Sequence, residues 1–252
     1  MKGSTLRNSL ITLIVVLFFL TVWKAAALLI GAEIILPHPE TTFKYFFDII
    51  RSDIFLQSLF STLIRGMAGF VLASCLGIIV GFIAGFSKTA FFLCQPFIVL
   101  IRSTPTMSII LLALIWFGSE LVPVFVVFLI AFPIMAINVI EGVKNIDVKL
   151  LEMAKVYNIK FAKRVKDIYL PSILPYMIAG TSNALGIGWK VAISAEVLSH
   201  PAFGVGTELY EAKIFLETGM VFAWTLIAII VGFVLEKFLR FLERELQPWK
   251  EF

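Results

Sequence analysis

The stretch from Asp147 to Pro175, DVKLLEMAKVYNIKFAKRVKDIYLPSILP, is the only long polar segment in an otherwise apolar chain. Its basic residues are Lys149, Lys155, Lys160, Lys163, Arg164 and Lys166. Its apolar residues recur at helical spacing and are Leu151, Ala154, Ile159, Ala162 and Val165. A flexible tether has no reason to keep such a stripe, so the pattern predicts short amphipathic helices outside the bilayer. We expect another surface to cover the stripe.

The composition of the chain is that of an integral membrane protein. Of 252 residues, 60% are hydrophobic and 15% are charged, and the mean hydropathy is +0.99, far above the usual range of soluble domains. The net charge of +4 comes from basic residues clustered in particular loops, which indicates membrane orientation and contact with lipid rather than binding to nucleic acid. Cys75 and Cys94 lie in apolar surroundings, so we expect neither a disulfide nor a metal site.

Hydropathy predicts an all-α membrane protein with about six transmembrane helices in a single domain. The expected spans are residues 10–30, 58–86, 91–117, 121–140, 173–197 and 220–239. A signal peptide is the alternative for the first span, but apolar residues continue past Lys24 to Leu36, which favours a retained helix. In the third span, Pro96, Arg102 and Pro105 predict a kinked or partly re-entrant helix.

Two predicted spans carry small residues at four-residue intervals. In the second span these are Gly69, Ala73, Gly77, Gly81 and Gly85. In the fifth span they are Gly180, Ala184, Gly188 and Ala192, followed by the charged Glu196. Small residues on one face let another helix approach closely, so both stripes predict packing faces. Because six spans are few for a closed pathway, we expect these faces to help two copies of the chain assemble.

The distribution of basic residues predicts that both chain termini are cytoplasmic. With the N-terminus inside, the cytoplasmic basic residues are Lys2, Arg7, Lys88, the seven from Lys144 to Lys166, Lys237, Arg240, Arg244 and Lys250. Only Lys44, Arg51 and Lys213 are then clearly outside, as the positive-inside rule requires. On the outer side, apolar residues spaced among charges from Phe43 to Ile54 predict an amphipathic helix on the membrane surface.

The sequence lacks the motifs of a self-sufficient enzyme. It has no Gly-rich loop ending in Lys-Ser or Lys-Thr and no zinc-protease or serine-hydrolase motif, so we expect no ATP site, no catalytic residue and no metal site. Four charges lie within predicted spans, and they are Arg65, Arg102, Lys190 and Glu196. Each costs at least about 2.5 to 3.5 kcal/mol at mid-bilayer and must face protein or water.

These four charges have two interpretations. In the first, Arg65 and Glu196 lie near the outer ends of their helices and snorkel or pair structurally. In the second, Arg102 and Lys190 form a positive lining for an anionic solute. The sequence does not show which way these side chains point, so both interpretations stay open.

The opening stretch resembles the EAA loop of the permease subunits of ABC importers, in which a Glu-Ala-Ala start is followed by Gly and later by Ile-x-Leu-Pro. The matching residues are Glu152, Ala154, Ile168, Leu170 and Pro171. Met153 and Asn158 depart from the pattern. Met153 changes the bulk of the docking face, whereas Asn158 tolerates the positive φ that a turn between two short helices needs.

The resemblance extends over most of residues 57–200. Residues 62–66 with the following glycine stripe, residues 102–105, and residues 188–196 are similar to the nitrate, sulfonate and taurine importer branch. That branch also includes permeases for thiamine precursors and other small solutes. The resemblance implies the type I ABC importer permease fold, with a cytoplasmic coupling loop at 144–170.

The resemblance also implies a set of partners. A cytoplasmic ATPase dimer would bind ATP and Mg, which this chain does not, and would move the coupling loop. An extracytoplasmic solute-binding protein would deliver cargo, and a second permease copy would complete the complex in a bacterial or archaeal cytoplasmic (inner) membrane. The residues expected to couple to the ATPase are Glu152, Met153, Ala154, Tyr157, Asn158, Ile168, Leu170 and Pro171.

Two alternatives remain. The basic stretch could be a solvated segment whose charges only set topology, although topology needs neither the apolar stripe nor the Leu-Pro entry to the fifth span. The chain could also be a self-sufficient secondary transporter or channel, which would need no ATPase.

Overall fold

The computed structural model describes the backbone of residues 2–246 and the side chains of residues 10–241 and 243. Within these residues every regular element is helical. The elements are α1 Lys2–Ile30, α2 Pro39–Arg51, α3 Asp53–Phe86, α4 Lys88–Ser103, α5 Thr106–Trp116, α6 Val122–Lys144, α7 Val148–Val156, α8 Phe161–Arg164, a π-helical turn Val165–Tyr169, α9 Leu170–Ser199, α10 Val205–Ile214 and α11 Thr218–Leu246. Four charges used to predict orientation, Lys2, Arg7, Arg244 and Lys250, lie outside the described side chains.

Four helices in the described part of the chain, α1, α3, α6 and α11, are long and apolar enough to cross a membrane. Helices α4 and α5 form a further apolar unit, bent by 98° between Ser103 and Thr106. Thr104 is extended, as a residue before proline prefers, so the break predicted near Pro105 is confirmed. Pro96, by contrast, lies inside α4 without ending it.

Helix α9 covers the predicted fifth span with 30 residues. It does not reach the hydropathy of the four apolar helices, because polar side chains such as Asn183, Lys190 and Glu196 interrupt its apolar residues. Polar residues in a span must face protein or water. The polar side chains of α9 therefore mark the faces of this helix that must contact protein or water.

The centre of the bundle is α6, which packs against α3 on one side and α9 on another. Half of its most apolar window is buried, against 6% for α1. The small-residue stripe of the second span belongs to α3 and packs directly against α6. A Cβ added at Gly69, Gly77, Gly81 or Gly85 would lie only 2.4 to 2.6 Å from the nearest α6 atom. The predicted packing face is thereby confirmed.

The fifth-span stripe faces α6 as well. A Cβ added at Gly180 would lie 2.9 Å from Asn138 Cβ, and one at Gly188 would lie 3.3 Å from a methyl group of Val127. Both stripes are therefore covered within one chain. Because α6 occupies both faces, neither stripe is free to contact a second copy, contrary to the expectation from the sequence.

The periphery consists of α1, α2 and α11. The predicted amphipathic helix is α2, whose buried Ile49 packs with Trp224 of α11 while Phe47 remains exposed on the other side. The last turns of α1 are attached here, because Trp23 stacks on Phe222 with ring centroids 5.7 Å apart and Lys24 pairs with Glu40 at 2.9 Å. Residues 10–22 of α1 are almost all exposed, and only 6% of its apolar window is buried.

The bundle has two different ends. At the basic end, α3 terminates and α6 continues into residues 145–169, which are named the basic segment. At the opposite end lie α2, α10 and the loop at 200–204 that joins α9 to α10.

Candidate functional site

The basic segment folds as two short helices joined by a sharp turn. Asp147 begins α7 by accepting a hydrogen bond from the Lys149 N–H at 2.9 Å. At its end, the Ile159 N–H donates to the Ala154 carbonyl at 2.9 Å and the Asn158 N–H to the Lys155 carbonyl at 3.1 Å. This is the Schellman pattern, which needs a left-handed residue at the position that Asn158 holds. Asn158 has a φ of 50°, so the predicted positive φ is confirmed.

One face of the basic segment is covered by the chain itself. Ala154 and Ile168 are buried, and Leu151 and Ile159 pack beside them. The surrounding side chains include Val139 and Val143 of α6, Ile173 of α9 and Ile146 of the segment itself. The predicted apolar stripe is therefore real for these residues, although Ala162 is exposed. Because the surface that covers the stripe is intramolecular, the stripe is not the surface that needs a partner.

The other face of the basic segment carries a second apolar set that is uncovered. Its members, named the docking surface, are Leu150, Met153, Val156, Tyr157 and Phe161. Val156 is 77% exposed, Tyr157 75% and Phe161 59%. Leu150, Met153 and Tyr157 follow one another at helical spacing, so a second stripe was visible in the sequence. Our interpretation of the sequence missed Leu150, Val156 and Phe161.

The other residues of the predicted coupling motif have different environments. Glu152 is exposed beside the docking surface, and within the described residues it forms no ion pair. Leu170 and Pro171 are exposed at the start of α9. Ala154 and Ile168 are buried, so they position the segment on the bundle, whereas Glu152, Met153 and Tyr157 are accessible.

A buried polar cluster lies towards the opposite end of the bundle. Its centre is Arg65 of α3, whose Nη1 donates to Glu196 Oε1 at 2.9 Å and to the Phe203 carbonyl at 2.7 Å. Arg65 Nε donates to Glu120 Oε2 at 2.9 Å, and Nη2 pairs with the same oxygen. All three nitrogen atoms of the guanidinium are thus paired. These contacts, with Thr62 and the backbone of 202–206, are named the Arg65 cluster.

Glu196 is the other half of this cluster and has no exposed surface. Its Oε2 accepts hydrogen bonds from Thr62 Oγ1 at 2.8 Å and from the Gly206 N–H at 3.1 Å. A Cβ added at Gly204 would lie 2.7 Å from the Glu196 carboxylate, so the loop at 200–204 encloses the side chain. The structure therefore supports the first interpretation of Arg65 and Glu196, in which they pair structurally.

Glu120, in the connection between α5 and α6, completes the Arg65 cluster. Its Oε1 accepts a hydrogen bond from the Ala202 N–H at 2.9 Å. Partial burial disfavours the charge, but the hydrogen bonds from Ala202 and Arg65 outweigh it and hold the pKa of the Glu120 carboxyl below its usual range. Glu120 was not predicted as a site residue, since a residue in a turn gives no sign in the sequence of a partner on α3.

A groove of about 840 Å³ lies between α9 and α11. Its wall is largely apolar, and its polar or charged lining residues are Ser182, Asn183, Lys190, Thr225, Glu236, Arg240 and Glu243. Lys190 is exposed, and no described carboxylate lies within ion-pair distance of it. Arg102 is exposed at the end of α4 and does not line the groove. The two predicted pathway cations are therefore not brought together within one chain.

The described residues include no group of His, Cys, Asp or Glu able to hold a metal ion. The arrangement offers one open apolar surface, one closed polar cluster and one groove with an unpaired cation. None of these is a constellation of nucleophile, base and electrophile.

Comparison with known proteins assigns the family. Residues 73–248 match the family model "Binding-protein-dependent transport system inner membrane component". The chain is 31% identical over 233 residues to the "Putative aliphatic sulfonates transport permease protein SsuC" of Bacillus subtilis (strain 168), covering 92% of this chain and 84% of the relative. It is 30% identical over 233 residues to the "Taurine transport system permease protein TauC" of Escherichia coli (strain K12), covering 90% and 84%.

A solved structure shares the fold. A chain of the inward-facing MetNI methionine ABC transporter superposes with a TM-score of 0.66 at 15% identity, covering 76% of this chain and 95% of that chain. The protein therefore belongs to the family of binding-protein-dependent transport inner membrane components, the permease subunits of ABC importers. This membership makes the chain a transport subunit and argues against a self-sufficient channel or secondary transporter.

Proposed function

We propose that an ABC ATPase dimer docks on the basic segment and drives solute import through this permease. The observation that carries the proposal is the docking surface, in which Val156 and Tyr157 are each more than 70% exposed. An apolar patch of this kind outside the membrane marks an interaction site. Glu152 lies beside it without an ion-pair partner in the described chain, and would meet a basic residue of the ATPase. ATP and Mg belong to that partner.

The basic end is the cytoplasmic end in this proposal, with both chain termini on the same side. The support is the charge distribution, because the basic segment concentrates Lys and Arg as cytoplasmic loops do. The opposite end would then receive a solute-binding protein, as the description of the family implies. The multi-pass chain would lie in a bacterial or archaeal cytoplasmic membrane.

A second copy of the chain would complete the pathway. The face of α9 that lines the groove carries Asn183 and Lys190 without hydrogen-bond or ion-pair partners among the described residues. A lysine in lipid costs about 2.5 to 3.5 kcal/mol, so this face favours water or another protein surface. The small-residue stripes cannot supply the contact between copies, since α6 already covers them.

The solute would be a small anion. Lys190 supports this because it is an unpaired cation on a polar face of a span, and Arg102 remains a second candidate from another part of the pathway. Relatives whose names specify sulfonates and taurine also support it, since those compounds carry a sulfonate group. Arg65 and Glu196 are satisfied within the chain and are not proposed to contact the solute.

Co-purification with the ATPase tests the docking proposal. The variants Tyr157→Ala and Glu152→Lys should each weaken co-purification and coupled ATP hydrolysis by about tenfold, a loss of about 1.4 kcal/mol. Phe60→Ala is the matched control, because Phe60 is 55% exposed on α3 and lies outside the docking surface. Unchanged coupled ATP hydrolysis in both variants would contradict the proposal.

Transport of a solute series by the reconstituted complex tests the anion proposal. An alkanesulfonate, bicarbonate, a neutral amide and an organic cation would serve as probes. Lys190→Gln should reduce anion transport by about tenfold, whereas Lys237→Gln, at an exposed site of α11 that does not line the groove, should not. Transport of only neutral or cationic probes would exclude an anionic cargo.

A further inference from the structure

The basic segment contacts α3 as well as the two helices to which the chain connects it. Connectivity joins it to α6 on one side and to α9 through the π-helical turn on the other. Phe86, the last residue of α3, lies against the second half of the basic segment. Its ring centroid is 4.7 Å from that of Tyr169 and 6.2 Å from that of Phe161, each at an interplanar angle of 62°. The contact links the segment to a third helix.

A buried apolar cluster holds the rest of the segment at the same place. Its buried members are Val139, Val143, Ile146, Ala154, Ile168 and Ile173. Phe82 of α3 packs against this cluster and stacks on Phe86 with ring centroids 6.0 Å apart. Close-packed interiors transmit displacement because they deform little. A movement of the basic segment must therefore displace the adjoining end of α3.

Helix α3 is fixed in register along α6. A Cβ added at Gly85, the residue before Phe86, would lie 2.6 Å from Val143 Cβ. At Gly81 the same distance separates it from Val139 Cβ, and at Gly77 from Met135 Cβ. Backbones at this separation interlock, so α3 cannot slide past α6 without opening the interface.

The other half of α3 holds the loop at the opposite end. Arg65 is about 32 Å from Phe86 along the helix, at about 1.5 Å per residue. It binds Glu196 of α9 and the carbonyl of Phe203, and Thr62, one turn earlier, accepts a hydrogen bond from the Val205 N–H at 2.9 Å. A displacement of α3 is therefore passed to the loop at 200–204.

We propose that α3 transmits the movement of the basic segment to the loop at 200–204, and that Phe86 is the positioning residue that ties the segment to α3. The inference rests on the proposed function, because the ATPase is what moves the segment. Helices α6 and α9 supply the covalent connections, and α3 supplies a parallel one through side chains. Removing the Phe86 ring should leave the ATPase docked and weaken the response of the opposite end.

The test uses the chain together with its ATPase in lipid nanodiscs. Spin-label pairs are introduced after Cys75→Ser and Cys94→Ser remove the two native thiols. One pair, on Lys155 and Phe238, reports the basic end, and another, on Phe203 and Leu29, reports the opposite end; all four positions are exposed. Distances are compared without nucleotide and after trapping with ATP, Mg²⁺ and orthovanadate.

In the parent chain both distances should change on trapping. Phe86→Ala should keep the change at the basic end but reduce the change at the opposite end by at least about fivefold. Phe86→Tyr, which retains the ring, should restore it, and Phe60→Ala, an exposed aromatic site on the same helix, should behave as the parent. A variant that merely loosened the fold would lower both changes.

A full response at the opposite end in Phe86→Ala would overturn the proposed role of Phe86 and α3, and it would leave the docking proposal standing. Absence of any change at the basic end in the parent complex would overturn the docking proposal and this inference with it. If Phe86→Ala does not assemble with the ATPase, Phe86→Leu replaces it, because leucine retains apolar volume without the ring.

Discussion

The Arg65 cluster is polar and complete within one chain, whereas the docking surface at the other end of the molecule is apolar and open. Arg65 and Glu196 use their hydrogen-bonding atoms on each other, on Glu120 and on the adjoining loop. Tyr157 and Val156 are both at least 75% exposed. A buried charge is tolerated only when it is paired. An exposed apolar cluster, by contrast, is stabilised when a partner covers it, and it therefore marks an interaction site.

The contrast shows that a residue indicates an interaction site when it has no partner within the chain, and that an unusual residue type is not enough. The charges that looked most unusual in the sequence, Arg65 and Glu196, are satisfied internally and hold the fold. The side chains left uncovered include those of Val156 and Phe161, which are ordinary apolar residues in a basic stretch. Four changes test this contrast between closed and open regions.

The largest effect is expected at the closed polar region. Glu196→Ala removes one of the two partners of Arg65 Nη1 and leaves the Gly206 N–H without an acceptor. Because Glu120 still pairs with Arg65, the loss should be about 3 kcal/mol, the lower end of the range for breaking a buried ion pair. Thermal unfolding of the detergent-purified chain measures it, with the exposed Glu217→Ala as control. Equal stability of the two variants would show that the cluster does not hold the fold.

The next effect compares a glycine packed against a neighbouring helix with a glycine that has free space beside it. A Cβ at Gly81 would lie 2.6 Å from Val139 Cβ, whereas one at Gly186 meets nothing within 4 Å. Gly81→Ala should therefore destabilise the chain by about 1 to 3 kcal/mol, while Gly186→Ala should be neutral or stabilise it by up to about 1 kcal/mol through helix propensity. The unfolding curve of Gly81→Ala should shift to lower temperature, and that of Gly186→Ala should stay in place or shift to higher temperature. A parallel shift would mean that α3 and α6 are not in close contact.

A smaller effect is expected at the turn that presents the docking surface. Asn158 has a φ of 50°, so Asn158→Gly should be tolerated and Asn158→Val should cost about 1 to 2 kcal/mol. Co-purification of the ATPase should fall in parallel for the valine variant, because the turn orients α7 relative to α8. Retention of full ATPase binding by Asn158→Val would show that docking does not depend on this geometry.

The smallest effect concerns Glu208 of α10, beside the closed polar region. Burial raises the pKa of its carboxyl above the usual 4.5, against a hydrogen bond from Ser58 Oγ at 3.1 Å and with some repulsion from Glu211. A raised pKa in the folded state means that the charged form is disfavoured there, so at neutral pH the ionised group slightly destabilises the fold.

Glu208→Gln should therefore raise thermal stability slightly at pH 7. The advantage should shrink as pH falls through the folded-state pKa and disappear below the unfolded-state value, where the carboxyl is protonated in both states. Glu217→Gln, at an exposed position, is the control and should show little such pH dependence. A gain that persisted unchanged at low pH would assign the effect to packing rather than to charge.

The sequence predicted what depends on local spacing. The small-residue stripes, the break near Pro105 and the left-handed Asn158 follow from backbone sterics and periodicity, and all are present. Helix bounds were less accurate, because α3 begins at Asp53 and α11 extends to Leu246, beyond the apolar windows that define a span.

What depends on distant contacts could not be predicted. Glu120 lies 55 positions from Arg65, and no local pattern links them. The spacing also identified each small-residue stripe as a packing face but could not show that α6 occupies it. The uncovered side of the basic segment was recoverable in principle, because Leu150, Met153 and Tyr157 are spaced as one helical face.

The attachment of α1 has a consequence for how such a chain can vary. It is joined to the bundle through Trp23 and Lys24 near its final turns, and only 6% of its apolar window is buried. Substitutions in the preceding turns meet few intramolecular neighbours, so within this chain they are constrained mainly by hydrophobicity. The sequence of residues 10–22 could therefore change, or this part of the helix could be replaced by another apolar helix, while the interlocked α3, α6 and α9 remain unchanged.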